Sequence, residues 1–173
     1  LDALYKCWHI YPRTDMRYYT ADLITEILSG GGSSRLFQAL VKEKQLFSNI
    51  DCYHLGSTDA GLLTISGKLI KGVKMEDAEA AVNEELIKLQ QDGISQRELD
   101  KVINKTESMI AFEDMRVTNR AASLAMYELM GDADLINKEL DRYRAVTADE
   151  IKKECKIIFD EKNTNTLYYY SNN

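Results

Sequence analysis

A single proline, Pro12, stands in a chain of 173 residues. Every later position keeps its backbone N–H, so long hydrogen-bonded elements are permitted almost everywhere. Pro12 also divides two periodicities. Before it, Ala3 to Tyr11 (ALYKCWHIY) is aromatic and aliphatic and reads as a strand. After it, Met16, Thr20, Leu23, Ile24 and Ile27 recur at helical spacing until Gly30-Gly31-Gly32 stops them. Ser33 is placed to cap a second helix carrying Leu36, Phe37, Leu40 and Val41. Phe47 to Ser57 and Leu62 to Ile70 form a strand pair around Thr58-Asp59-Ala60-Gly61.

The second half is helical. Met75, Ala78, Val82, Leu86 and Leu89 make one apolar stripe that ends at Asp92-Gly93. Ser95-Gln96-Arg97-Glu98 has capping-box spacing and opens a helix through Leu99, Val102, Ile103, Thr106 and Ile110. The pattern loosens at Glu113-Asp114, resumes from Ala121 to Leu129 and breaks at Gly131. A short helix near Ala133 to Tyr143 follows. Thr147 to Glu150 is a second capping box, opening a helix through Phe159, and Thr166 to Tyr170 is a last strand. The order is β-α-α-β-β-α-α-α-α-β, an α+β fold with one mostly antiparallel sheet covered on one face by helices. Residues 1–173 read as a single domain, with no repeat and no linker, and 45% hydrophobic residues suffice for one core.

Charge removes one function class. With a net charge of −6 and a pI near 5.0, the chain lacks the basic stripe of a nucleic-acid binder. Lys42, Lys44, Lys71 and Lys74 are only a loose group on a solvated face. No apolar run has the length of a membrane span. Cys7, Cys52 and Cys155 are odd in number and lack CxxC spacing, so they read as buried free thiols. They favour a reducing compartment such as the cytoplasm. The cell envelope stays open, because Leu1 is not a methionine and a leader can precede it.

Candidate chemistry is sparse. His9 and His54 lie in separate predicted strands, without HExxH or HxxEH spacing, so no zinc site is encoded. The run Ser29 to Ser34 precedes a helix, where glycines can cradle an anion, but it follows a helix and lacks the Gly-Lys-Ser/Thr ending of a phosphate loop. A sharp helix-to-helix turn is the better reading. No GxSxG elbow is present. Glu113 and Asp114 have no evident partner, and Tyr168-Tyr169-Tyr170 reads as core or interface filler.

The run Ile27-Leu28-Ser29-Gly30-Gly31-Gly32-Ser33-Ser34-Arg35-Leu36-Phe37 resembles the signature of the C-terminal, non-zinc-binding half-domain of insulinase/pitrilysin-type zinc peptidases, the inverzincins. The likeness continues through Leu40, Lys42 to Lys44, Leu46, Asp59 and Gly61, then Gly93-Ile94-Ser95 and Glu98-Leu99. The half-domains of mitochondrial processing peptidase and of the respiratory bc complex core subunits are similar. The resemblance implies a division of labour around a peptide chamber. A sister domain carries the HxxEH zinc site, and the opposite half supplies an arginine and a tyrosine that hold substrate and stabilise the oxyanion. At the matching positions stand Val41, which cannot donate a hydrogen bond, and Ser48, which is too short to replace a phenol. Arg35 belongs to the signature turn (Gly30, Gly31, Gly32, Ser33, Ser34, Arg35) and is not promoted to the missing role.

The resemblance therefore implies a non-catalytic, chamber-forming domain of a larger polypeptide, not a peptidase by itself. It holds no cofactor of its own, with zinc in a sister domain. Its expected partners are other domains or a homologous subunit, and peptide substrate; nucleic acid and membrane are not among them. Two alternatives stand beside this reading. One is a substrate-assisting domain of an active metalloendopeptidase; the other is a stand-alone interaction subunit.

Overall fold

The computed structural model describes residues 1–56 and 58–172. Four strands, β1 (Ala3–Ile10), β2 (Phe47–Leu55), β3 (Gly61–Leu69) and β4 (Thr164–Tyr169), form one antiparallel sheet in the order β2-β3-β1-β4. Ser57, the expected end of the second strand, lies outside the described residues. The register puts Cys52, Ile65, Lys6 and Thr166 in one cross-strand row, and His54, Leu63, Trp8 and Thr164 in the next. Side chains alternate across a strand, so these rows share one face. On that face Leu4, Trp8, Ile50, Cys52, Leu63 and Ile65 are buried beneath helices, and Trp8 meets Phe159 edge-on at 5.0 Å. The opposite face stays open, with Tyr53, Leu55, Leu167 and Tyr169 exposed. The expected α+β fold, one sheet covered on one face, is the observed one.

The helices are α1 (Arg17–Ser29), α2 (Met75–Asp92), α3 (Gln96–Asp114), α4 (Val117–Leu129), α5 (Leu135–Arg144) and α6 (Ala148–Ile158). α1 packs on β2 and α6, and α2 packs on α6. The element order needs one more helix than expected. The loosening at Glu113-Asp114 is a full break, with the chain turning at Met115 and Arg116 before α4 begins. The large apolar residues there, Phe112, Met115 and Val117, are all exposed, so no core-facing stripe marks where one helix ends and the next begins.

The second expected helix is present but is π-wound over Phe37–Glu43. Its apolar residues satisfy a 3.6-residue period as well as a wider one, so the sequence did not distinguish them. The winding brings Lys42 Nζ to 5.5 Å from the Phe37 ring centre, five positions away. Ser33 does not cap this segment; its hydroxyl meets Lys101 Nζ at 3.2 Å instead. The expected box at Ser95 is half made. Ser95 Oγ accepts from Glu98 N, while the Glu98 carboxylate is turned towards Arg35. The box at Thr147 and Glu150 is complete, each side chain accepting from the other's backbone N–H. Tyr168, Tyr169 and Tyr170 are all exposed, so none fills the core; β4 is an edge strand, and only the Tyr168 hydroxyl, bonded to Glu79 of α2 at 2.5 Å, reaches a helix among the described residues.

Two features of the buried face were not anticipated. Gly67 lies against Phe47, and a Cβ at Gly67 would stand 2.6 Å from that ring, so glycine is what lets the phenylalanine close the core. Lys6 is 4% exposed, with its ammonium held by Glu79 Oε1 at 2.6 Å and Thr166 Oγ1 at 3.1 Å. A buried charge is tolerated when it is paired in this way.

The two faces of the sheet should respond differently to truncation. Leu63→Ala, on the covered face, is expected to lower stability by about 2–5 kcal/mol. Leu167→Ala, on the open face, is expected to change it by less than about 0.5 kcal/mol in urea unfolding.

Candidate functional site

α1 ends where Gly31 takes φ 115°, a conformation that side chains resist. Around that turn α3 provides a row of cations and an acid. Lys105 Nζ donates to Gly30 O at 2.8 Å, satisfying a carbonyl at the helix end, and to Glu26 at 2.5 Å. Arg35 makes a planar fork onto Glu98, Nε to Oε1 at 2.9 Å and Nη2 to Oε2 at 2.8 Å, and Nη2 also reaches Gly93 O at 2.9 Å. The Glu98 hydrogen bonds hold the guanidinium in its charged form, raising its pKa against the cost of burial. Ser29 is spent as well. Its hydroxyl accepts from Cys52 N at 2.8 Å and donates to Cys52 O at 3.0 Å, covering part of the outer edge of β2. The turn is a clamp, and its arginine is not free to hold a ligand.

Val41 and Ser48 follow from this turn. Val41 sits in the π-helix, half-buried against the core. Ser48 is exposed at the start of β2, beside the irregularity between Phe47 and Asn49, and its hydroxyl donates to Lys68 O at 3.1 Å. One side chain has no donor, and the other gives its proton to its own sheet.

The histidines are not brought together. His9 is on the open face of β1 and His54 on the covered face of β2, with β3 between them. Among the described residues no three His, Cys, Asp or Glu side chains converge as metal ligands. Burial holds the Cys52 thiol protonated and pushes Cys155 up to about 12, so neither supplies a thiolate. The donor set does not fit zinc.

One polar cluster escaped the sequence reading. Asp22 of α1 accepts from Tyr143 OH at 2.6 Å and pairs with His54 Nε2 at 2.6 Å. Arg13 donates to Glu139 at 2.8 Å and to Tyr127 OH at 3.3 Å, and Arg142 to Tyr19 OH at 3.0 Å. Tyr18 meets His54 edge-on at 4.9 Å. The cluster lines a cavity of about 240 Å³ that Glu113 borders and Asp114 does not, both being exposed. The only sequence hint was Tyr18 and Asp22, one helical turn apart on α1. Their partners are far away in the chain, in β2 and α5, while α4 joins through the Tyr127 bond to Arg13, just before α1. The network ties those elements to α1.

Comparison with known proteins gives a family and a fold. The family model described as Peptidase M16 inactive domain matches residues 2–106. A Bacillus subtilis (strain 168) protein, described as the uncharacterized zinc protease YmxG, is 24% identical over 146 residues, covering 84% of this chain and 36% of that protein. The crystal structure of a Helicobacter pylori protease superposes with a TM-score of 0.92 at 18% identity, over 99% of this chain and 41% of the other. An inactive peptidase domain from Bordetella parapertussis gives 0.89 at 22% identity, over 99% of this chain and 91% of that one. The chain thus spans little more than a third of the curated relative's length. No helix among the described residues is long and apolar enough to cross a membrane.

Two measurements test the clamp and the cluster. Arg35→Ala is expected to destabilise the fold by about 1–3 kcal/mol, with most of that loss absent when Glu98→Ala is already in place. Burial pushes Tyr18 of the cluster up to about 12; outside the cluster, burial and then its hydrogen bond to Glu154 on α6, at 2.6 Å, do the same for Tyr11. A tyrosine ionises near about 10 when unfolded, so these rings stabilise the fold fully below that pH. Their contribution is expected to fade as pH rises through their folded values, visible as late phenolate absorbance coincident with alkaline unfolding.

Proposed function

We propose, from the premise that the chain belongs to the Peptidase M16 inactive-domain family, that it is a structural domain of a longer zinc-peptidase-type polypeptide. It closes a peptide chamber by packing against sister domains, one of which holds the zinc. The observation that carries this is the state of Val41 and Ser48. The resemblance puts substrate-holding groups at these two positions, yet one side chain is packed on the core and the other is bonded to Lys68 O. The arginine nearest to them in the chain, Arg35, is committed to Glu98 and Gly93. The histidines lie on opposite faces of the sheet, which supports placing the metal elsewhere. The relative's greater length leaves room for such domains. Peptide substrate then touches this domain as a wall, through shape and backbone, and transition-state stabilisation falls to the sister domain.

The isolated chain is expected to bind no stoichiometric zinc by metal analysis and to leave unfolded peptides intact. Adding the sister domains of the parent polypeptide is expected to restore cleavage that a chelator abolishes. A tight one-to-one zinc site in this chain would overturn the assignment of the metal to a sister domain. Cleavage by this chain alone that survives repurification and resists chelator would overturn the structural role.

A further inference from the structure

The two edges of the sheet are treated differently. β2 is guarded: Ser29 bonds both backbone groups of Cys52, and an irregularity interrupts its pairing near Phe47. β4 has none of these devices. It carries no charge, proline or bulge, it is the last strand in the order, and Leu167, Tyr168 and Tyr169 stand exposed along it. Folded proteins usually blunt such an edge, because its unpaired N–H and C=O groups template another strand.

Beneath that edge, on the helix side, lies a groove of about 420 Å³ between β4 and α2. Trp8, Asn83, Ile87, Gln90, Glu161 and Thr164 line it. Trp8 is 2% exposed and its indole N–H has no hydrogen-bond partner among the described residues. Ile87 is exposed at the rim. Glu161 and Glu76 stand close to β4, and neither is in an ion pair among the described residues. Lys6 also lines the groove, but its ammonium is neutralised by Glu79, so Glu161 and Glu76 leave the surroundings of the edge apolar and acidic. A second copy pairing β4 with β4 would bring like charges together, whereas a basic strand would neutralise them.

We propose that the outer edge of β4 binds an extended peptide as a fifth strand. The peptide alternates basic side chains, directed over the groove towards Glu161 and Glu76, with apolar ones beside Leu167 and Tyr169. Backbone pairing with β4 supplies the affinity, and the groove selects the alternating side chains. The inference is independent of the chamber role, since it concerns the edge opposite the one near Ser48.

Trp8 is the single tryptophan, so its emission reports on the groove. The 173-residue chain is titrated with a short unstructured peptide of alternating lysine and valine. Saturable change in emission is expected, with binding weakened about tenfold or more when alternate peptide nitrogens are methylated in one register and retained when the other set is methylated. Glu161→Lys, at an exposed site, is expected to weaken binding while leaving the fold intact. Four results would each overturn the proposal: no saturable binding, equal binding of both methylated peptides, equal binding of a glutamate–valine peptide, or dimerisation through β4 without peptide in sedimentation.

Discussion

The fork of Arg35 on Glu98, with its third bond to Gly93 O, joins the two halves of the chain. One partner follows the glycine turn at the end of α1; the other two flank the junction of α2 and α3. Because the guanidinium is planar and bidentate, the contact fixes angle as well as distance. Lys101 and Lys105 extend the same contact along α3, to Ser33 and to the end of α1. Once α3 is seated, the turn is held, the π-helix starts where it must, and β2 is delivered to the sheet. A motif that reads at first as a ligand loop is the joint of the domain.

The parts of the fold legible in the sequence were those with a strong local signal. Alternation in β1 and β3, the stripe of α2 and the complete box at Thr147 each rest on neighbours in the chain. The two misread caps shared a cause, since in each a distant partner claimed a side chain that local rules had assigned nearby. Glu98 left the Ser95 box for Arg35, and Ser33 met Lys101 instead of capping a helix. The polar cluster was invisible for the same reason: Asp22 meets His54 and Tyr143 only after β2 and α5 have folded onto α1. At the candidate site, the sequence supplied the identities of Val41 and Ser48, but only the structure showed what their side chains touch.

Chemically the chain is quiet, and the quietness has a structure. Near the glycine turn Arg35 and Lys105 are matched to acids on facing elements, the buried lysine is matched to Glu79, and the Cys52 and Cys155 thiols are held protonated by burial. Such matching suits a wall or a joint better than a reacting centre, where charges must be left unanswered until substrate arrives. The open sheet face and the edge at β4 are the exceptions, and both offer backbone or apolar surface in place of reactive groups.

The π-wound stretch from Phe37 to Glu43 holds more chain per turn than an α-helix spanning the same ends. Its length therefore acts as a spacer that sets the phase of the strand after it. Losing one residue there, with β2 drawn back by one position, would invert the strand. Asp51 and Tyr53 would turn inward, and Ile50 and Cys52 would face solvent. The number of residues between the glycine turn and Phe47 is thus as strictly determined as their identities, and insertions or deletions in this segment are harder to accept than most substitutions within it.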